Sequence, residues 1–142
     1  MKRMIYGILV VIWMILIFSF SNHTGTKSQN TSNIFTDRIV KVVMKITPNT
    51  DYTKVRKTIS FIIRKLAHFS IYFIGGILIF GFINTFPIKK RNVVILTIIF
   101  GVLYAISDEI HQYFVEGRSA QVRDVLIDSA GIILATIIRY II

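Results

Sequence analysis

Several residue types that small folded domains often depend on are scarce or absent in this sequence. There is no cysteine among its 142 residues, which excludes disulfide bonds and thiolate metal sites. Proline occurs only at Pro48 and Pro87, and each is expected to mark the end of a helix. The sequence has no glycine-rich phosphate loop and no serine in a nucleophile elbow, so it gives no support to nucleotide binding or to an acyl-enzyme mechanism.

Hydrophobic residues, by contrast, make up 54% of the chain, which is too apolar for an ordinary soluble domain. The length fits one folding unit. The formal net charge is +10, yet no nucleic-acid-binding motif is visible. In a membrane protein such basic residues usually lie in loops that face anionic lipid. Composition therefore predicts a small polytopic membrane protein with membrane lipid, and no nucleic acid, as its partner.

Four apolar segments predict an all-α integral membrane bundle of four transmembrane helices in a single domain of residues 1–142. The first segment could also be a cleaved signal peptide, but Ser19-Phe20-Ser21 is a poor cleavage site, so we expect a retained helix. The predicted spans are about 4–21, 61–86, 92–110 and 124–142.

The segment between the first two spans has a different character. Residues 21–33 are polar and predict a loop. From Ile34 to Ile46 apolar residues recur at helical spacing, which predicts an amphipathic helix at the membrane surface or packed over the bundle. Pro48 and Asn49 are expected to follow its end.

The distribution of basic residues predicts that both termini are cytoplasmic, because three basic groups fall on one side of a four-span chain. They are Lys2-Arg3, Lys89-Lys90-Arg91 and Arg139. Residues 21–60, with seven Lys or Arg against two Asp, argue for the opposite orientation. In either case the start of the second span, the end of the third and the start of the fourth meet at one membrane face.

This convergence gathers polar residues of opposite charge. Five of the seven acidic residues lie within 104–131, and a charge at mid-bilayer costs about 2.5 to 3.5 kcal/mol unless it has a partner or water. One interpretation is an internal ion-pair network that fixes helix register. The other is a polar pocket near the outer surface. The candidate ligand-binding residues are Arg64, Lys65, Tyr72, Gln112, Arg118, Asp124 and Asp128, and the candidate catalytic residues are His68, Asp108 and Glu109.

Three chemistries are open to such a pocket. Arg64, Lys65 and Arg118 suit a phosphate or a carboxylate. The carboxylates with a histidine suit a divalent cation, although the spacing matches no compact zinc signature. A histidine such as His68 beside a carboxylate suits general acid–base catalysis.

The polar motifs resemble those of a known family. Arg64-Lys65-Leu66-Ala67-His68-Phe69 with Tyr72, Ser107-Asp108-Glu109-Ile110-His111-Gln112, Gly117-Arg118, and Asp124-Val125 leading to Gly131 are similar to the VanZ-like family of bacterial membrane proteins. The resemblance covers most of the chain. It implies a four-helix domain in a bacterial cytoplasmic membrane and, as for the founding member, resistance to teicoplanin. Glu116 and Asp128 depart from the Pro and Asn that the family often has.

The resemblance and the cluster together predict a cell-envelope protein that contributes to glycopeptide or lipoglycopeptide resistance. Its pocket would bind an anionic group of a lipid-linked cell-wall precursor, a lipid or the drug. The alternative is a membrane-embedded, metal-dependent hydrolase or transferase on a lipid-linked substrate, with His68 as acid or base and Asp108, Glu109 or Asp124 as ligands of a divalent cation. A third class, a small transporter or assembly partner, would need a continuous polar path through the membrane.

Overall fold

The fold was analysed in a computed structural model of the chain, and it is entirely helical in the part that the structure describes. That part is residues 1–22, 25–47, 50–118 and 120–142, without the side chains of 25–32 and 34. The all-α prediction is confirmed. The helices are α1 (Lys2–Ser21), α2 (Gly25–Ile46), α3 (Tyr52–Ile83), α4 (Lys90–Tyr113) and α5 (Val122–Ile141).

The long helix α3 is the centre of the bundle. It contacts all four other helices, and its most extensive interface is with α5. Helices α1, α3, α4 and α5 alternate in direction, so the start of α1 lies beside the end of α3, where Arg3 Nη2 donates to the carbonyl of Thr85 at 3.0 Å. The start of α5 lies beside the first half of α3, where Lys65 pairs with Asp124. The bundle therefore has two ends with different residues.

The start of α3 is set by a side-chain cap rather than by hydrophobicity. The apolar pattern begins near Ile59, but the helix begins at Tyr52. Asp51 has extended backbone geometry, and its carboxylate accepts from the amides of Thr53 (2.8 Å) and Lys54 (3.4 Å). An aspartate in this position accepts hydrogen bonds from amides that have no partner within the helix. Its negative charge is also stabilised by the positive end of the helix dipole. The polar first turns of α3 thus extend beyond its apolar segment.

The predicted loop at residues 21–33 is wrong from Gly25 onward, because α2 begins there. Residues 23 and 24 of that loop, and the predicted helix end at Pro48 and Asn49, lie outside the described residues. On α2, Asp37 Oδ1 accepts from Arg56 Nε of α3 at 3.0 Å. Packing against a neighbouring helix stabilises a polar segment whose composition alone favours a loop.

Among the described residues, three helices are long and apolar enough to cross a membrane, namely α1, α3 and α4. The 20 residues of α5 include Asp124, Asp128 and Arg139, so its apolar stretch is interrupted by charge. Large apolar side chains remain exposed along the bundle, which is expected of surfaces that face lipid. The chain is therefore a membrane protein.

The core lies where α1, α3, α4 and α5 meet. Trp13 is 3% exposed and packs edge-on against Tyr72 with 5.7 Å between ring centroids. Its indole N–H donates to the carbonyl of Ile71 at 2.9 Å. A side chain at Gly75 would collide with the Trp13 ring, so this glycine is what permits the contact.

A hydroxyl group joins α1 to α4 beside this core. Tyr104 Oη donates to the carbonyl of Met14 at 2.7 Å. We expect Tyr104→Phe to lower the free energy of unfolding by about 1 kcal/mol, since one hydrogen bond is lost while the ring is kept. Thermal unfolding in detergent would measure it. Tyr140→Phe on exposed Tyr140 is the control, and equal melting temperatures for the two variants would contradict a stabilising role of the Tyr104 bond.

Candidate functional site

A cavity of 420 Å³ opens at the end of the bundle where α1 and α4 finish. It lies between the last turns of α1, residue Phe35 of α2, the middle of α3, and the segment from the end of α4 to Arg118. One part of its wall is polar and the other is apolar. The polar residues are Ser21, Arg64, His68, Tyr72, Asp108, Gln112 and Arg118, and the apolar ones are Ile17, Phe20, Phe35, Ile63, Ala67 and Ile71.

Among the described residues that line the cavity, Asp108 is the only carboxylate, and it already accepts hydrogen bonds from protein groups. Its Oδ2 atom accepts from Gln112 Nε2 at 2.9 Å and lies 3.3 Å from the hydroxyl of Tyr72. Gln112 stands one helical turn after Asp108 on α4, so the first of these bonds follows from the spacing. Asp108 is only 5% exposed, which makes these donors necessary to offset the loss of water.

Arg118 closes the cavity from the loop between α4 and α5. Its Nη1 atom donates to Gln112 Oε1 at 2.9 Å, and Nη2 donates to the carbonyl of Phe20 at 3.1 Å. Burial lowers the pKa of Arg118, while Asp108 and Glu109 act in the opposite direction. A guanidinium retains its proton at physiological pH. Arg118 therefore contributes a permanent positive charge to the wall and links α1 to α4.

Arg64 is the second cation of the cavity and has a different environment. It is exposed on α3 and, among the residues that the structure describes, it forms no ion pair. The lining thus holds two guanidinium groups against one carboxylate that is already bonded. Such a wall favours an anion, and the adjoining apolar residues favour a ligand with a hydrophobic part.

Two side-chain contacts between α3 and α5 involve other predicted site residues. Lys65 Nζ binds Asp124 Oδ1, and neither residue lines the cavity. His68 does line it, and its Nδ1 atom lies 3.4 Å from Oδ1 of Asp128, which is 1% exposed and lies outside the lining. At that separation the pair is not a well-formed hydrogen bond. Lys65, Asp124 and Asp128 thus connect two helices, while His68 faces both this interface and the cavity.

Glu109 lies outside the cavity, at the connection to α5. Its Oε1 atom accepts from the backbone N–H of Gln121, the residue that precedes α5. Its Oε2 atom is buried without a hydrogen-bond partner in the described structure. A carboxylate at the amino end of a helix is favoured by the helix dipole. This placement orients the start of α5.

The His, Asp and Glu side chains that could coordinate a metal do not form a metal site in the described part of the chain. In the described ranges, no three His, Asp or Glu side chains are placed to hold one ion. Asp108 is bound to Tyr72 and Gln112, Asp124 to Lys65, and Glu109 to the amide of Gln121. The residues that were predicted to form one polar cluster are thus divided among the cavity, the interface between α3 and α5, and the start of α5.

Comparison with known proteins decides the family. The family model described as VanZ/LLP1 matches residues 6–142, nearly the whole chain. The chain belongs to the VanZ/LLP1 family. The predicted resemblance is thereby confirmed. No curated protein and no solved structure matches this sequence.

Seven lining residues of this VanZ/LLP1 protein were not among the predicted site residues, namely Ser21 and the six apolar ones. Phe20 and Ser21 end α1, and Phe35 comes from α2. Ser21 is 2% exposed, and its hydroxyl has no hydrogen-bond partner among the described atoms. Ser21 and Asn22 are polar residues at the end of an apolar span, which indicates only weakly that Ser21 lies in a site. The amphipathic pattern from Ile34 to Ile46 allows a helix that packs over the bundle, but it does not indicate which of its residues reaches the cavity, so Phe35 could not be predicted.

Proposed function

We propose that this VanZ/LLP1 protein is a four-span protein of the bacterial cytoplasmic membrane, a single domain with both termini in the cytoplasm. Helices α1, α3, α4 and α5 would be the spans, and the cavity would face outward. The exposed side of α5 supports its inclusion, because Ile133, Leu134, Ile137 and Ile138 form an apolar strip. The charged residues of α5 lie near its two ends or, for Asp128, within the protein.

The helix α2 would lie at the outer membrane surface over the cavity. Four of its apolar residues are exposed although Val40 and Thr36 are buried. An apolar exposed side beside basic residues is typical of helices that lie in the interface. The exposed apolar residues are Phe35, Ile39, Val42 and Ile46.

The cavity would bind the anionic part of an envelope ligand, either a lipid-linked cell-wall precursor or a lipoglycopeptide, and thereby lower susceptibility to teicoplanin-type antibiotics. One observation carries this proposal: the guanidinium groups of Arg64 and Arg118 adjoin an apolar wall, while Asp108 is occupied by Tyr72 and Gln112. Such a site fits an amphiphile with a phosphate or carboxylate group. His68 would contact the same ligand from α3.

The test is Arg64→Gln in a susceptible bacterium at matched expression. We expect the wild-type protein to raise the minimal inhibitory concentration of teicoplanin and Arg64→Gln to abolish the increase. For purified protein in detergent, affinity for the lipid-linked precursor or for teicoplanin should fall about tenfold or more, because a charge-assisted hydrogen bond is worth about 1.5–3 kcal/mol.

The matched control is Lys57→Gln, which removes a charge from an exposed position on the same helix, outside the cavity. It should keep both susceptibility and binding at wild-type values. The proposal fails if wild-type expression leaves teicoplanin susceptibility unchanged, or if Arg64→Gln and Lys57→Gln behave alike.

A further inference from the structure

A second pocket lies at the opposite end of the bundle from the cavity described above. It has a volume of 880 Å³ and is formed by the start of α1, the end of α3 and the end of α5. Three of its lining residues are basic, namely Lys2, Arg3 and Arg139, and none is acidic. Asn84 and Thr85 supply further polar groups.

The whole of this end of the protein is positively charged. Residues 1–7, 80–95 and 135–142 include six Lys or Arg and no Asp or Glu. All seven acidic residues lie between Asp37 and Asp128, away from these segments. No internal carboxylate therefore neutralises the pocket. The basic residues are Lys2, Arg3, Lys89, Lys90, Arg91 and Arg139.

Arg139 is the group that most needs a partner there. Its Nε–H group is buried and has no hydrogen-bond partner in the described structure. The guanidinium carbon lies 5.8 Å from the centre of the Phe80 ring, which positions the group without supplying an acceptor for Nε. Leaving a buried charged donor unpaired is costly, so an external acceptor at this place would be strongly favoured.

Arg3, in contrast, is held in place by the protein. It donates to Thr85 through Nε (3.3 Å, to Oγ1) and Nη2 (3.0 Å, to the carbonyl), and its guanidinium lies over the Phe86 ring. Lys2 is exposed, and no hydrogen bond or ion pair to it occurs in the described part of the chain. The pocket thus combines one cation that the protein holds in place, one half-buried cation and one exposed cation.

Apolar surface adjoins this charge. Met4, Ile5 and Ile8 on α1 are between 48% and 66% exposed, and they extend from the pocket along the side of the bundle. A phospholipid whose phosphate lies in the basic pocket and whose acyl chains lie along this apolar surface would fit both. Free phosphate would use only the charged part.

We propose that this pocket binds an anionic phosphate group, as carried by the headgroup of an acidic phospholipid. It is distinct from the cavity that contains Arg64 and does not depend on what that cavity binds. The ligand would complete the hydrogen bonding of Arg139 and fix the start of α1 and the ends of α3 and α5 relative to one another. Basic residues at a membrane surface recognise acidic lipid in this way.

The experiment uses the full chain purified in an uncharged detergent. Dihexanoylphosphatidylglycerol, dihexanoylphosphatidylcholine and inorganic phosphate are each titrated, and bound ligand is counted by native mass spectrometry. We expect one phosphatidylglycerol to bind saturably and phosphatidylcholine not to compete. Arg139→Gln should weaken binding about tenfold, the loss expected for one charge-assisted hydrogen bond.

Lys90→Gln is the matched control, since it removes a charge at the same end, over the Tyr140 ring and outside the pocket. It should change affinity less than about twofold, because a charge in water is largely screened. If Arg139→Gln does not fold, Lys2→Gln carries the test, since exposed Lys2 has no structural partner to lose. Teicoplanin susceptibility need not change in either variant, so failure here is separable from failure of the proposed function.

Each outcome decides the proposal. Saturable binding of inorganic phosphate that competes with phosphatidylglycerol and requires Arg139 would support the phosphate site and assign free phosphate as a ligand. Equal losses in Arg139→Gln and Lys90→Gln would overturn it, since the binding would then reflect overall charge. Absence of saturable binding to both anions would overturn it as well.

Discussion

Lys65→Met is expected to lower the free energy of unfolding by about 3 kcal/mol, because it leaves the Asp124 carboxylate without its cation between α3 and α5. The two side chains are 18% and 14% exposed, so water would compensate only in part. This places the effect at the lower end of what breaking a buried pair costs. Thermal unfolding in detergent, with tyrosine and tryptophan absorbance as the signal, would measure it.

The double variant Lys65→Met/Asp124→Leu separates the pair from its neighbours. It should recover most of the lost stability, since two apolar residues can replace a buried ion pair at little cost. Lys57→Met, at an exposed position of the same helix, is the control and should melt like the wild type. A double variant no more stable than Lys65→Met would show that Asp124 is not the partner whose charge matters.

Gly131→Ala is expected to destabilise the same helix interface by about 2 kcal/mol, within the range found for overpacked cores. A Cβ atom at Gly131 would lie 2.5 Å from the carbonyl oxygen of Phe69 and 3.0 Å from the amide nitrogen of Phe73. Both are backbone atoms of α3, so the helices would have to separate. The gain in helix propensity, about 1 kcal/mol, opposes this loss and does not cancel it.

Gly7→Ala provides the comparison for that prediction. The same gain in helix propensity applies on α1, and the added Cβ would meet only the edge of the Phe82 ring at 3.3 Å. Its melting temperature should be unchanged or slightly raised. If Gly131→Ala were as stable as Gly7→Ala, the close approach of α5 to α3 would not depend on the missing side chain.

The sequence allowed the fold class and the meeting of polar residues to be predicted, because both depend on regular periodicity. Apolar segments long enough to span a membrane predict helices, and their alternating direction brings Tyr72 of α3 close to Asp108 of α4. The extent of α2 could not be predicted in the same way. Its first part is polar, and α3 stabilises α2 by contacts such as Arg56 with Asp37 that no local pattern encodes.

Neighbouring residues in the site also have different environments that spacing cannot distinguish. Arg64 lines the cavity, whereas Lys65, the next residue, binds Asp124 of α5. Successive residues on a helix differ in direction by about 100°, and only the packed structure shows which direction faces a partner. Glu109 is similar, since its bond to the amide of Gln121 depends on the path of the connecting loop. Position in a motif therefore did not separate cavity residues from those that join helices.

Trp13 gives the molecule an internal optical reporter. It is the only tryptophan in the chain, so emission excited at long ultraviolet wavelengths comes from one place. Its ring touches Tyr72 and Tyr104, and the Tyr72 hydroxyl lies 3.3 Å from Asp108 in the cavity wall. The fluorophore therefore lies one side chain away from the cavity in which an envelope ligand would bind. Ligand entry and helix separation can both be followed in the unlabelled protein at this single position.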